Sequence, residues 1–101
     1  PAIEVGAGLD HNCSINSNES VSCWGSNGSG QLGDGTNKDS SSATLVKNLE
    51  LARALAVGAH HTCVLAGPAN TPMCWGENTF GQLGNSSTTN SNLPVLVVLP
   101  K

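Results

Sequence analysis

The residues of this chain with the clearest chemical potential are two sets of one histidine and two cysteines. The sets are His11, Cys13 and Cys23, and then His61, Cys63 and Cys74. Imidazole and thiolate groups bind zinc, but zinc sites usually combine four ligands with cysteines two to four residues apart. The cysteines within each set lie too far apart for that pattern, so a metal site is the less favoured alternative and no cofactor is predicted.

The same cysteines can instead form disulfides. Four cysteines allow three pairings, and each pair here flanks a short polar turn. A hairpin centred on Asn18 places Cys13 opposite Cys23, and side chains lie closest at cross-strand positions that are not hydrogen-bonded. We predict the disulfides Cys13–Cys23 and Cys63–Cys74, with metal ligation or reduced core cysteines as the alternatives.

His11 and His61 each precede a cysteine by two residues, so each points to the same side of its strand as that cysteine. A catalytic role would need a serine or an acid at the same position in both sets, but Asp10 in the first set is replaced by His60 in the second. We predict no catalytic residue and no enzymatic activity. Both histidines are interpreted as structural groups that hydrogen-bond to the backbone, because buried polar groups need partners.

Two other features permit binding. The indoles of Trp24 and Trp75 are able to stack on sugars, but their place directly after a strand cysteine favours core packing. The segment 34–39, DGTNKD, has carboxylates and amides like a calcium loop but lacks the glycine and glutamate of an EF-hand, and its counterpart 85–90 has no acid. We interpret it as a solvated loop.

Three asparagines are candidate N-glycosylation acceptors, since each begins an N-x-S sequence: Asn18, Asn27 and Asn85. Asn18 is expected in a hairpin turn and Asn85 in a long loop, where both are accessible, whereas the Asn27 side chain is expected to cap a turn. A further sequon at Asn12 lies beside a cysteine, where a glycan is not expected. Sequons and paired cysteines together indicate a secreted protein, extracellular or at the cell surface.

The composition narrows the function classes. The 101 residues are enough for one small domain, and 7 acids against 4 lysines and arginines give a net charge of −3. No basic cluster exists, which disfavours nucleic-acid binding because phosphate backbones need several converging cations. The longest apolar run, residues 93–100, has strand length and not the ~20 residues that cross a bilayer, so no membrane span is predicted. Because the chain begins with Pro1, we expect a processed chain or a piece of a longer one.

The residues described above are positioned by a duplicated unit. GLDHNC at 8–13 aligns with GAHHTC at 58–63, and CWGSNGSGQLGDG at 23–35 aligns with CWGENTFGQLGNS at 74–86. The second unit is one residue longer, in the segment that joins its two cysteines. Two repeats, residues 1–50 and 51–101, therefore fill the chain.

Each unit reads as short strands separated by turn residues, which predicts an all-β architecture. In the first unit, 2–5 is a short apolar run, 11–16 and 20–25 are predicted strands, and 26–42 is a loop rich in Gly, Ser, Thr and Asn. The corresponding segments of the second unit are 54–57, 61–66, 72–76 and the loop 77–92. After the loops, 43–48 aligns with 94–99. Several strands in a unit of about 50 residues are typical of propeller blades or β-solenoids.

The repeated pattern resembles the RCC1 repeat of the regulator of chromosome condensation family. The matching residues are Gly8, His11, Trp24, Gly25, Asn27, Gly30, Gln31, Leu32 and Gly33, and then Gly58, His61, Trp75, Gly76, Asn78, Gly81, Gln82, Leu83 and Gly84. The resemblance covers the whole chain and departs at 43–44, where Ala-Thr replaces the Pro-Val of the second unit. It implies two β-propeller blades, each a four-stranded antiparallel sheet with long loops, with the histidines in the blade interior.

An isolated pair of blades exposes apolar faces at both ends, and repeat proteins generally need about three units or caps. We expect further blades on a longer chain, or copies that associate into a ring or a filament. The favoured function is a non-enzymatic extracellular structural or interaction module with protein partners and possible glycans. A glycan-binding, lectin-like propeller is the alternative, although Phe80 is its only loop aromatic. Nucleotide exchange with chromatin binding, implied by the family's namesake, is less favoured because of the acidic balance and the cysteine pairs.

Overall fold

The computed structural model describes residues 2–85 and 87–97, and its regular elements are all β-strands. The first sheet contains β1 (Ala2–Ala7), β2 (His11–Asn16), β3 (Val21–Gly25) and β4 (Ser40–Leu45). The second sheet contains β5 (Ala52–Val57), β6 (His61–Ala66), β7 (Thr71–Gly76) and β8 (Ser91–Leu96). No helix long and apolar enough to cross a membrane is found in these residues.

Both sheets are four-stranded and antiparallel, with the strands in sequence order, which confirms the predicted fold class. We call the sheets with their connecting loops the first and second blades. They lie at residues 2–45 and 52–96, inside the predicted units 1–50 and 51–101. The division of the chain at residue 50 remains a prediction.

The last strand of each blade begins inside a segment that the sequence predicts to be a loop, at Ser40 within 26–42 and at Ser91 within 77–92. After a register shift, Gly25 pairs with Ser40 and Gly76 pairs with Ser91, so the serines at the ends of both predicted loops belong to β4 and β8. Sequence patterns miss these residues because an edge strand can be held by backbone bonds, and serine gives no apolar signal. Of the segment 94–99, which aligns with 43–48, residues 98 and 99 lie outside the described residues.

The hydrophobic core lies between the two blades. On β2, the side chains of His11, Cys13 and Ile15 are buried at 0–1% exposure, whereas the alternating side has two half-buried residues, Asn12 and Asn16, on either side of Ser14 at 6%. The buried side packs against β5 of the second blade. The buried apolar residues of this cluster are Cys13, Ile15, Val21, Cys23, Leu32, Val46, Ala52, Val64, Ala66 and Trp75. Each blade therefore buries one of its faces against the other.

Candidate interaction site

Each blade is cross-linked by a disulfide between its two central strands. Cys13 and Cys23 are directly opposite on β2 and β3, with their Cα atoms 4.0 Å apart. Cys63 and Cys74 take the same positions on β6 and β7, with their Cα atoms 4.1 Å apart. This is the pairing within repeats that the sequence predicts, and it consumes the thiolates that a zinc site would use. No group of three or more His, Cys, Asp or Glu among the described residues could hold a metal ion.

A chain of hydrogen bonds joins the blades through the side chain of Thr62. The Thr62 hydroxyl donates to the backbone carbonyl of Gln31 at 3.3 Å and lies 2.9 Å from Nε2 of His11. Because the single hydroxyl proton goes to Gln31, Nε2 of His11 carries the hydrogen and donates to Thr62. Trp75 Nε1 donates to the same Gln31 carbonyl at 2.8 Å. The expectation that His11 bonds to the backbone is therefore wrong, since its partner is a threonine hydroxyl of the other blade.

The environment of His11 keeps its ring neutral. His11 is 1% exposed, and its Nδ1 has no hydrogen-bond partner among the described residues. Burial, assisted by His60 and His61 and opposed by Asp10, lowers the pKa of His11 from 6.5 to about 4. The ring rests against Gly8, where a Cβ would overlap the carbonyl oxygen of Gly58 in the second blade and lie 3.0 Å from Nδ1 of His11. This close approach explains the glycine three residues before the histidine in the repeated pattern.

The long loop of each blade folds around one buried asparagine. Asn27 is 0% exposed, and its Oδ1 accepts from the backbone N–H of Leu32 at 2.9 Å. Its Nδ2 donates to the carbonyls of Thr36 and Lys38 at 2.8 and 3.1 Å. Asn78, which is also fully buried, makes the corresponding bonds in the second blade. One amide side chain thereby organises a loop that has no strand pairing of its own.

Two aspartates act as hydrogen-bond acceptors in the first loop. Asp34 Oδ1 accepts from the backbone N–H and the hydroxyl of Thr36 at 3.0 and 2.8 Å, and Asp39 Oδ1 accepts from the backbone N–H of Asn27 at 2.8 Å. Burial raises the pKa of Asp34, but hydrogen bonds from Thr36, Asn27 and Thr44 outweigh that effect and lower it. The acids of the segment 34–39 therefore serve the loop's own backbone.

Neutral amides perform the same task in the second loop. Asn85 Oδ1 accepts from the backbone N–H and the hydroxyl of Ser87, and Asn90 Oδ1 accepts from the backbone N–H of Asn78. An amide oxygen can replace a carboxylate oxygen as an acceptor, which explains why the acids of the first loop are not repeated. These acceptors were not predicted from the sequence. The available signal was the repeat alignment, which places Asp34 opposite Asn85 and Asp39 opposite Asn90.

Gly30 and Gly81 occupy equivalent positions with different neighbours. Gly30 has φ 83°, and a Cβ there would lie 2.6 Å from the Cα of Asn92 in the second blade. Only glycine permits this approach of two backbones. Gly81 has φ 75°, yet a Cβ there would meet nothing within 4 Å. The loop of the first blade is thus seated on the second blade, and the loop of the second blade faces open space.

The glutamine after each of these glycines closes the loop locally. Gln31 Oε1 accepts from the backbone N–H of Ser29, and Gln82 Oε1 accepts from that of Phe80, both at 2.8 Å. The main-chain carbonyl of Gln31 receives the donors from the other blade. For the carbonyl of Gln82, no hydrogen bond is found within the part of the chain that the structure describes.

The outer face of the first blade, which points away from the second, carries a mixed apolar and polar surface. Val5 is 64% exposed and Leu45 is 60% exposed, in register with the central strands between them. Asn12 and Trp24 are paired across the same face and are half-buried. Trp75, the counterpart of Trp24, is 0% exposed. The difference between the two tryptophans arises because only Trp75 is covered by a blade.

The outer face of the second blade shows the reciprocal difference. His61 is half-buried and Leu65 is 38% exposed, whereas their counterparts His11 and Ile15 are 1% and 0% exposed. Phe80, at the tip of the loop, is 86% exposed. A shallow apolar depression of about 220 Å³ lies on this face, lined by Ala54, Leu55, Ala56, Cys63, Val64, Leu65 and Pro72. The outer face of the second blade is therefore equivalent to the face that the first blade buries. The outer face of the first blade is equivalent to the face that the second blade buries.

The three candidate glycosylation acceptors differ in accessibility. Asn18 is exposed in the β2–β3 turn, and its Oδ1 accepts from the backbone N–H and the hydroxyl of Ser20. Asn85 is half-buried. Asn27 is fully buried, with its Nδ2 engaged by loop carbonyls. The prediction of an acceptor at Asn27 is wrong for the folded chain, because a glycan would be attached to that nitrogen, while Asn18 and Asn85 remain predictions.

Comparison with known proteins identifies the family. Two profiles described as "Regulator of chromosome condensation (RCC1) repeat" match the chain, one over residues 2–31 and the other over 19–65 and 74–101. The human probable E3 ubiquitin-protein ligase HERC4 is 35% identical over 98 residues, which cover 94% of this chain and 9% of that protein. The ultraviolet-B receptor UVR8 of Arabidopsis thaliana is 34% identical over 95 residues, covering 90% of this chain and 22% of that protein. The chain spans less than a quarter of either relative.

The fold agrees with this assignment. The crystal structure of Prp20p from Saccharomyces cerevisiae superimposes with a TM-score of 0.82 at 24% identity, over 98% of this chain and 24% of that one. Of the residues in the repeated pattern, Asn27 and Asn78 organise the loops, and His11, Trp75 and Gly30 lie in the contact between the blades. The chain belongs to the RCC1 repeat family and contains two blades of its β-propeller fold.

Proposed function

We propose that this chain is a non-enzymatic extracellular structural or interaction module whose outer faces are covered by further RCC1-like blades. The observation that carries the proposal is that residues at equivalent positions of the two blades are exposed to different degrees. Trp24 and His61 lie on uncovered faces, whereas Trp75 and His11 take the same places in the buried contact. The covering blades belong either to a longer chain or to copies that form a ring or a filament.

The two disulfides support an extracellular location. Structural disulfides persist in oxidising compartments and are rare in the cytosol, and each blade contains one between its central strands. The exposed sequon at Asn18 supports the same location. A blade cross-linked in this way is a rigid support from which loops can be presented to other molecules.

Proteins are the proposed partners. The study of Prp20p describes its binding properties to Gsp1p and histones, which concern that protein, and the class of partner is what we extend to this chain. The ligase activity in the name of HERC4 belongs to a protein of which this chain matches 9%. The non-enzymatic role is supported by His11, which is neutral near pH 7, buried and engaged with Thr62.

A lectin-like role is a second candidate, favoured by Phe80, a loop residue that is 86% exposed. Aromatic faces stack on sugars. A glycan array tests this candidate, with Phe80→Ala as the variant. Binding that the substitution abolishes supports glycan recognition, and no binding to any glycan removes the candidate.

The extracellular assignment is tested by intact mass spectrometry of the chain secreted from eukaryotic cells. We expect a native mass that is lower than the reduced mass by two hydrogens for each disulfide, and a further decrease after deglycosylation. Asn18→Gln is expected to remove glycan mass, whereas Ser29→Ala, which removes the sequon of the buried Asn27 and keeps its amide, serves as the control and leaves the mass of the glycan unchanged. Free thiols in the native secreted protein, together with no glycan, would contradict the assignment.

A further inference from the structure

We propose that two copies of this chain bind each other head to tail, through the outer face of the second blade in one copy and the outer face of the first blade in the other. The geometry is that of the contact between the two blades within one chain. The inference rests on the proposed function, in which blades cover the outer faces, and it specifies which blade does so. One chain carries both complementary faces, and both are uncovered in the described residues. The contact between copies would therefore continue an interface that the fold already contains.

The polar groups of the two outer faces are complementary. Within the chain, Thr62 accepts a hydrogen bond from His11 and donates one to the Gln31 carbonyl. Asn12 occupies the position of Thr62 on the outer face of the first blade. An asparagine amide has both an acceptor oxygen and donor hydrogens. In the neighbouring copy, Asn12 can accept from Nε2 of His61 and donate to the carbonyl of Gln82, which reproduces both roles.

The tryptophan of the first blade adds a second polar contact. Trp75 Nε1 donates to the Gln31 carbonyl across the contact within the chain. Trp24 is its counterpart, half-buried, and within the described residues its Nε1 makes no hydrogen bond. The equivalent acceptor on the second blade is the carbonyl of Gln82, which also has no donor there. Docking of a second copy pairs this donor with this acceptor.

The apolar parts of the faces fit the same arrangement with one difference. Leu65 takes the place of Ile15, beside the apolar depression on the second blade. Opposite it, the first blade presents Asn16, whose Nδ2 donates to the hydroxyls of Ser20 and Ser22 at 3.0 Å each. A polar cluster that is satisfied within its own blade can be covered without losing its partners. The contact between copies is thus more polar than the one within the chain, and we expect it to be reversible.

The head-to-tail arrangement limits the number of copies that a closed assembly can contain. Head-to-tail contacts generate a closed ring when the rotation per blade closes, and an open filament when it does not. When the 101-residue chain assembles by itself, each copy adds two blades, so a ring has an even number of blades, and propellers typically have 4–8. A closed assembly is therefore a dimer, a trimer or a tetramer.

The test is sedimentation equilibrium of the 101-residue chain over a range of concentrations, with intact disulfides. Gly81→Ala is the diagnostic variant, because a Cβ at the equivalent Gly30 would lie 2.6 Å from the backbone of the facing blade. Gly67→Ala is the matched control, since Gly67 also has a positive φ, 77°, and open space around it. We expect concentration-dependent association that Gly81→Ala weakens at least about tenfold, while Gly67→Ala leaves it within about threefold.

A second variant is needed because alanine at Gly81, where φ is positive, also strains the backbone. Trp24→Phe removes the indole N–H and is expected to weaken association roughly tenfold, the value of one buried hydrogen bond. A wild-type chain that is folded, disulfide-bonded and monomeric at every concentration overturns the inference, as does association that neither Gly81→Ala nor Trp24→Phe changes. Neither result contradicts the proposed function as an extracellular module with further blades on a longer chain. That function is tested separately by the mass measurement.

Discussion

Trp75 of the second blade donates a 2.8 Å hydrogen bond from its indole Nε1 to the main-chain carbonyl of Gln31 in the first blade. The tryptophan is 0% exposed, and the same carbonyl also accepts from Thr62. A polar contact inside an apolar layer fixes how one sheet sits on the other, because displacement would leave a buried donor and a buried acceptor unpaired.

Trp75→Phe is expected to destabilise the chain by about 2–3 kcal/mol, since it removes the hydrogen bond and part of a buried ring. Trp24→Phe is the matched control. Trp24 is half-buried on an outer face, so at concentrations below self-association we expect a change below about 0.5 kcal/mol. Urea unfolding of both variants checks the difference, and equal losses would contradict the assigned role of the contact between the blades.

His11 is expected to make stability depend on pH. Because its pKa is lowered from 6.5 to about 4 in the folded chain, the unfolded chain binds more protons between these values. Stability contributed by the neutral ring is therefore fully present above pH 6.5 and is lost as pH falls towards 4, by roughly 3 kcal/mol in total. Asp34, whose pKa is also lowered, adds a loss only as pH falls below its ordinary value of 3.8.

Urea unfolding at a series of pH values between 7 and 4 measures this dependence. His11→Gln is expected to be less stable at pH 7 and to show a much smaller slope over that range. His61→Gln, the equivalent substitution on the outer face, is expected to retain the slope. A wild-type stability that is flat from pH 7 to pH 4 would rule out the buried neutral histidine.

The sequence predicts the parts of this structure that depend on local pattern. The pairing of Cys13 with Cys23 follows from the geometry of one hairpin, and the repeat alignment predicts the strands. The partner of His11 could not be predicted in the same way, because Thr62 is 51 residues away and meets it only through the packing of two sheets. Likewise, the serines that begin β4 carry no hydrophobic signal, so their pairing with Gly25 becomes visible only in the register.

Each disulfide is expected to contribute roughly 2–3 kcal/mol on the chain-entropy model, since the loops it closes have sequence separations of 10 and 11 residues. The double substitution of Cys13 and Cys23 by serine should lower the free energy of unfolding by about this amount. The same change at Cys63 and Cys74 gives the matched comparison. Guanidinium unfolding of the oxidised and reduced wild-type chain provides a further check, and equal midpoints in the two states would contradict a stabilising role.

The same chemical change, asparagine to aspartate, is expected to have different effects at Asn27 and at Asn85. Asn27→Asp removes the amide hydrogens that bond to the carbonyls of Thr36 and Lys38 and places a second carboxylate beside Asp34. We expect a loss of about 3 kcal/mol or more, because the carboxylate oxygen that replaces Nδ2 would face the carbonyls of Thr36 and Lys38 and the carboxylate of Asp34. Asn85→Asp makes the same chemical change at the position that Asp34 occupies in the first blade.

Asn85 Oδ1 acts as an acceptor for Asn78 and for both donors of Ser87, so a carboxylate there keeps every one of these bonds. Asn85→Asp is therefore expected to change the free energy of unfolding by less than about 0.5 kcal/mol. Thermal and urea unfolding of the two variants at pH 7 measure the contrast. If Asn27→Asp is tolerated as well as Asn85→Asp, then the loop is not organised by the amide of Asn27, and its order must come from contacts with the second blade.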